Sequence, residues 1–258
     1  LIHRGKQSIT LDMTDSRGRD AFRDLIKVSD VVMENFTPRV MRSWGLDYES
    51  VREIKPDIVY FSTCQQGQTG PHSSYAGFGQ LAASLAGFYH LTGWPDRGPV
   101  SPYGAYADFI NPPNAFAAIV AALEFRRRTG KGQHLDLAQY ECAAQYLAPA
   151  IMDYMASGRV MDRRGNADDI AIPHGVYRCK DSDRRYTGVG ESWLAITVSS
   201  EDQWRGLCDV MGRADLADDP RFRGPEERRR NGDALDPLRL CYCLLHLRCS
   251  RAFRGTPS

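Results

Sequence analysis

No apolar run in this chain approaches the roughly 20 residues needed to cross a bilayer, and its opening residues carry no charged-then-apolar leader. The expectation is a cytoplasmic protein that does not enter a membrane. Net charge is nearly absent as well: 33 Lys and Arg stand against 32 Asp and Glu, so no overall field calls for nucleic acid or an anionic lipid surface. The chain also lacks C-x-x-C, H-E-x-x-H, a Walker loop, G-x-G-x-x-G and any Ser/His/Asp or Cys/His arrangement. No metal is assigned, and hydrolase and metalloprotease chemistry have no support. Cys64, Cys142, Cys179 and Cys208 stand apart without zinc spacing and read as reduced, mostly packed thiols. Cys241, Cys243 and Cys249 crowd into the final stretch.

What is there suits a globular protein. With 42% apolar and 25% charged residues over 258 positions, the chain can bury one large core or two moderate ones. Ser8–Met13 alternates like a strand, and Thr14 or Asp15 can cap a helix burying Ala21, Phe22, Leu25 and Ile26. Val31–Met33 and Ile58–Phe61 read as strands. Thr37-Pro38 and Asp47 open helices between them. Strands separated by helical crossovers, one nearly all apolar, indicate a parallel sheet covered on both faces. The fold class is therefore α/β, with a Rossmann-like large domain over residues 1–158.

Further helices are predicted over 78–89, from Asn111-Pro112 onward with Phe116, Ile119, Val120 and Leu123 buried, and from about Gln139 to Tyr154, after a strand at His134–Leu137. Residues 159–175 read as a polar linker. A smaller α+β domain follows over 176–230, with strands at Val176-Tyr177, Arg185–Thr187 and Trp193–Val198 and a capping box at Ser200–Gln203. Residues 231–258 form a Cys-, Leu- and Arg-rich tail unlike the rest, expected to reflect a shifted reading frame or a truncated gene.

Ligands of open parallel sheets lie beyond the carboxyl ends of the strands. Two loops leave such ends, Glu34-Asn35-Phe36 and Thr63–Pro71. Asn35 and Phe36 serve either a ligand or a plain turn. Gly67 and Gly70 present bare amides or only shape a turn. Lys6 either reaches a phosphate or sits in an exposed basic turn. The run Arg126–Arg128 reads as a solvated helix end, and His174 as a structural loop histidine. The loop Tyr103–Phe109 carries one acid, Asp108, just ahead of the Asn111 cap. That leaves Asp108 outside the helix, near the positive end of its dipole, as either a loop ion pair or a reactive carboxylate.

Gly5–Asp12, Val31–Phe36, Trp44–Tyr48, Gly67–Pro71, Ala107-Asp108 and Arg128–Gln133, in this order and spacing, resemble the class III CoA-transferases. That family includes formyl-CoA, carnitine and benzylsuccinate CoA-transferases and α-methylacyl-CoA racemase. The resemblance implies that Asp108 attacks an acyl-CoA thioester to give a mixed anhydride, then carries CoA as an aspartyl thioester, and finally yields it to a carboxylic acid. It implies Lys6, Asn35, Phe36 and Arg42 along CoA and Ala107 beside the acid. CoA enters as substrate rather than as a tightly bound cofactor. The resemblance further implies two chains interlinked as a homodimer.

Racemases of this family pair their aspartate with a histidine, whereas the matching position here is Phe78, which cannot carry a proton. Transfer is expected over racemisation. Compared with the family pattern, an opening stretch with the first Rossmann strand is absent. Arg42 stands one step before the usual arginine position, and the glycine-rich loop finds its nearest counterpart in Ile172–Val176. The alternative that these departures suggest is a non-catalytic remnant that binds CoA.

Overall fold

The computed structural model describes residues 4–179, 192–232 and 234–235, in two compact units that divide between Arg164 and Gly165. Each unit has its own core.

In the first unit, α1 (Ser16–Val28) starts where the Asp15 carboxylate accepts a hydrogen bond from the Arg17 N–H at 2.9 Å. Asp15 is thus the cap, not Thr14. The chain continues through β1 (Val31–Glu34), α2 (Pro38–Ser43), α3 (Tyr48–Ile54) and β2 (Val59–Cys64). Pro38 sits in the first turn of α2, where its missing N–H costs nothing, and Asp47 accepts from Ser50 N to start α3. Helices α4 (Gly79–Ala86), α5 (Phe88–Leu91), α6 (Tyr106–Ile110) and α7 (Pro112–Thr129) then lead to β3 (Gln133–Ala138). After it come α8 (Gln139–Ala144) and α9 (Ala148–Ser157).

The three strands are parallel in the order β1-β2-β3, with Glu34 level with Ser62 and Ser62 level with Asp136. Central β2 is buried without a break from Val59 to Ser62, as expected of a strand covered on both faces. On one side Ile26, Val32, Met41, Leu46, Val51, Ile58 and Tyr60 form the core. The Tyr60 hydroxyl donates to the Leu46 carbonyl at 2.8 Å, and burial, helped by the charges of Glu34 and Asp47, pushes this phenol well above its ordinary range. A second cluster consists of Ala82, Ala83, Ala107 and Ala143, so α4, α6 and α8 meet through methyl groups. Small side chains let these helix backbones approach closely.

Several expectations need correction. Ser8–Met13 has no strand partner among the described residues, because the Asp12 carboxylate takes both the N–H and the hydroxyl of Thr14 and turns the chain into α1. An alternating pattern makes a strand only where a neighbour pairs with it. Leu25 is exposed rather than buried, whereas Ile26 is fully buried in the core and Phe22 packs, partly buried, against it. The helix over 78–89 breaks at Gly87, whose φ of 109° ends α4 in the left-handed conformation that glycine tolerates. The helix from Gln139 is likewise split by a tight turn at Gln145–Leu147, ahead of Pro149. In α7 the buried residue is Ala122, whereas Phe116 is 70% exposed. The cations Arg126, Arg127 and Arg128 end α7 and pair with Asp30 and Glu124, consistent with a helix-end role.

The second unit contains an antiparallel pair, β4 (His174–Cys179) and β5 (Ser192–Thr197), followed by α10 (Glu201–Val210) and α11 (Pro225–Arg230). The Ser200 hydroxyl caps α10 by accepting from Gln203 N, while the Gln203 side chain reaches back to Ser199 N at 2.8 Å. Trp204, Cys208, Met211, Leu216 and Phe222 form the core, and burial pushes the Cys208 thiol up to about 11. The strand expected at Arg185–Thr187 and the tail from residue 236 to 258, with Cys241, Cys243 and Cys249, lie outside the described residues.

Arg228 is the polar centre of this core, with 1% of its surface exposed. It donates to the carbonyls of Ile172 and Phe222 and to both carboxylate oxygens of Glu201, and its guanidinium lies 5.1 Å from the Trp204 ring centre. Arg228→Ala should cost about 3 kcal/mol, read as a lower urea midpoint, because the carbonyls and the indole lose their partner together. The same contact holds the Glu201 carboxyl below its ordinary range. A depressed folded pKa contributes stability above the unfolded pKa and loses it as pH falls through the folded one. Between about pH 5 and about pH 3, stability should fall less steeply in Glu201→Gln than in the parent. Equal slopes would rule out the pairing.

Candidate active site

The carboxyl ends of β2 and β3 are tied together by buried amides. Gln65, the first residue beyond β2, donates from Nε2 to Gln139 Oε1 at 2.6 Å, and Gln139 is the first residue beyond β3. The Gln65 Oε1 atom accepts from Ala82 N at 3.1 Å, which anchors the first turn of α4 over the sheet. The Gln65 carbonyl also accepts from Tyr140 N. Every polar atom of the Gln65 amide side chain thus has a partner.

Against the start of this anchored helix rests the Asp108 side chain. Its carboxylate Oδ2 accepts from the N–H of Gly79, the first residue of α4, at 3.3 Å. The local sequence placed Asp108 outside any helix and near the start of α7. Instead it stands in the first turn of the short α6, and the helix start it faces is that of α4. Asn111 occupies the cap position of α7 without making a cap bond. Its Nδ2 donates to the Gln139 carbonyl, and its buried Oδ1 has no partner among the described residues. Ala107 is fully buried in the alanine cluster, so α6 is pressed against α4 and Asp108 is half-buried beside it.

The second group forms around Glu34. Its buried carboxylate accepts from Phe36 N at 2.8 Å and from Gln68 Nε2 at 3.2 Å, while Gln68 N donates to both oxygens of Asp136. The two loops singled out from the sequence are therefore joined by the Glu34 carboxylate at the end of β1, and Asp136 ties the Thr63–Pro71 loop to β3. Gly67 sits between them with φ of 82°, and a side chain there would press on Ala138 at 3.2 Å. Asn35 is exposed, and Phe36 is 44% exposed with its ring edge-on to Trp44 at 5.7 Å. Arg42 is exposed near the end of α2, and Lys6 is exposed ahead of α1. No hydrogen bond joins Lys6, Asn35, Phe36 or Arg42 to Asp108 among the described residues.

The sequence matches the profile of CoA-transferase family III over residues 1–240. The chain belongs to CoA-transferase family III. It is 33% identical over 236 residues to an acetyl-CoA:oxalate CoA-transferase of Acetobacter aceti, covering 91% of this chain and 58% of that relative. It is 36% identical over 220 residues to a succinate–glutarate CoA-transferase of Agrobacterium fabrum, covering 85% of this chain and 52% of the relative. A CaiB/BaiF family protein from Brucella suis superposes with a TM-score of 0.84 at 36% identity, over 95% of this chain and 62% of that one. The chain thus spans a little over half the length of the curated relatives it matches.

In this family III chain, residue-by-residue reading overlooked Gln65, Gly79, Glu34, Gln68 and Asp136. The available signal was polar residues placed directly at or after the ends of apolar strands, where a buried polar group needs a partner. Among the described residues no helix is long and apolar enough to cross a membrane, and no group of three His, Cys, Asp or Glu is placed to hold a metal. Gln65→Leu removes an acceptor from Ala82 N and a donor from Gln139 at once. It should lower unfolding free energy by about 2 kcal/mol, measured by urea denaturation. An unchanged midpoint would show that the amide does not anchor α4.

Proposed function

We propose that this chain carries out CoA transfer from an acyl-CoA donor to a carboxylic acid, with Asp108 as the nucleophile. The observation that supports it is a carboxylate presented at the amide end of a helix anchored over the carboxyl ends of a parallel sheet. Asp108 Oδ1 adds to the thioester carbonyl and expels CoA thiolate, leaving a mixed anhydride. The thiolate then adds to the aspartyl carbonyl and releases the donor acid, which keeps one oxygen from Asp108. The resulting aspartyl-CoA thioester is attacked by the acceptor carboxylate, and the returning thiolate takes the acceptor acyl group. Each step trades one activated acyl bond for another, so the thioester's energy is retained.

Asn35 and Phe36 contact CoA in this reading, with Lys6 and Arg42 as phosphate partners. The Glu34 carboxylate holds the turn that presents Phe36. The two curated relatives act by name on oxalate and on succinate and glutarate, which supports a short dicarboxylic acid as acceptor. Phe78, 77% exposed next to Gly79, offers no proton for racemisation.

Incubation with acyl-CoA and hydroxylamine should leave a hydroxamate on the peptide containing Asp108, seen by mass spectrometry and absent in Asp108→Ala. Labelling that persists in the variant, or deuterium exchange at the substrate α-carbon, would reject the proposal. Phe36→Ala should raise KM for acyl-CoA about tenfold, a loss of about 1.4 kcal/mol, with kcat nearly unchanged. A fall in kcat alone would place Phe36 elsewhere.

A further inference from the structure

Gly79 is the first residue of α4, and the first N–H groups of a helix have no acceptor within it. Here that N–H is turned on the Asp108 carboxylate. The contact is close: a methyl group built on Gly79 would lie 2.6 Å from the Ala105 carbonyl oxygen and 2.8 Å from Asp108 Cγ. Nothing larger than a hydrogen fits between helix and acid. Gln65, through Ala82 N, keeps the same turn of α4 from moving away. The N–H to Oδ2 distance of 3.3 Å is on the long side for a hydrogen bond, as catalytic contacts often are before substrate tightens them.

We propose that the Gly79 N–H is the oxyanion donor of the transfer step. The inference rests on Asp108 being the nucleophile. In the mixed anhydride, Oδ1 is the bridging oxygen and Oδ2 the carbonyl oxygen of the aspartyl side. When CoA thiolate adds to Cγ, the C–S bond forms and the carbonyl π pair moves onto Oδ2, which becomes an oxyanion 3.3 Å from the Gly79 nitrogen. The pair returns as the Cγ–Oδ1 bond breaks and the donor acid leaves as a carboxylate. No proton is transferred in either direction. The same N–H meets the oxyanion formed when the acceptor carboxylate attacks the aspartyl-CoA thioester. The glycine is required because only a residue without Cβ brings this amide against the reacting carbon.

The test replaces residue 79 of the full 258-residue chain with glycolic acid, so that an ester oxygen takes the place of the N–H and no atom is added. Formation of the Asp108-CoA thioester, followed by rapid quench and intact mass with succinyl-CoA as donor, should slow by about 10² to 10³. Affinity for succinyl-CoA should be unchanged. In the parent chain labelled with nitrogen-15 glycine, the Gly79 amide resonance should move when the carboxylate is replaced in Asp108→Asn. An ester variant that loads at the parent rate, or a Gly79 resonance indifferent to Asp108, overturns the inference and leaves the nucleophile reading intact. If the parent itself forms no adduct at Asp108, the nucleophile reading fails and the inference with it.

Discussion

The candidate site depends on one buried amide. Gln65 leaves the end of the central strand and is bonded to both Gln139, beyond the next strand, and the first turn of α4. Where a polar side chain is buried, as Gln65 is, an unmet donor or acceptor costs more than a satisfied one contributes, so this arrangement favours a single position for α4. Once α4 is fixed, the alanine contacts with α6 leave little freedom, and Asp108 comes to rest on the Gly79 amide. Packing by methyl groups and one amide thus determines where the carboxylate points.

The loops beyond β1 and β2 obey a parallel logic with charge in place of amides. Glu34 and Asp136 stand on either side of Ser62 in the sheet, and each accepts from the Thr63–Pro71 loop or its neighbour through Gln68. Each of the two carboxylates is met by its own N–H donors. Gln68 supplies those donors, and Phe36 N supplies another. The exposed faces of Asn35 and Phe36 are a consequence of that turn.

Features decided by neighbouring residues were legible in the sequence: the Asp15 and Asp47 caps, Pro38 in a first turn, the apolar β2 and the capping of α10. The motifs from Gly5 to Gln133 also identified the family correctly, since their order survives without any knowledge of contacts. What local reading missed depends on partners far along the chain. Asp108 meets an amide 29 positions away, and Gln65 meets a side chain 74 positions away. Periodicity alone could not show that α7 buries Ala122 rather than Phe116, because which stripe is covered depends on the elements beside it. Ser8–Met13 failed for the same reason, having the alternation of a strand and no strand beside it among the described residues.

The central claim, that Asp108 changes covalent partners during transfer, makes a direct demand on its oxygens. On the proposed mechanism, each turnover would give one aspartate oxygen to the departing donor acid and return one from the acceptor acid. With heavy-oxygen-labelled glutarate as acceptor and succinyl-CoA as donor, a single turnover should place one heavy oxygen in the proteolytic peptide that contains Asp108. Conversion of labelled glutarate to its CoA thioester with no heavy oxygen in that peptide would contradict the account.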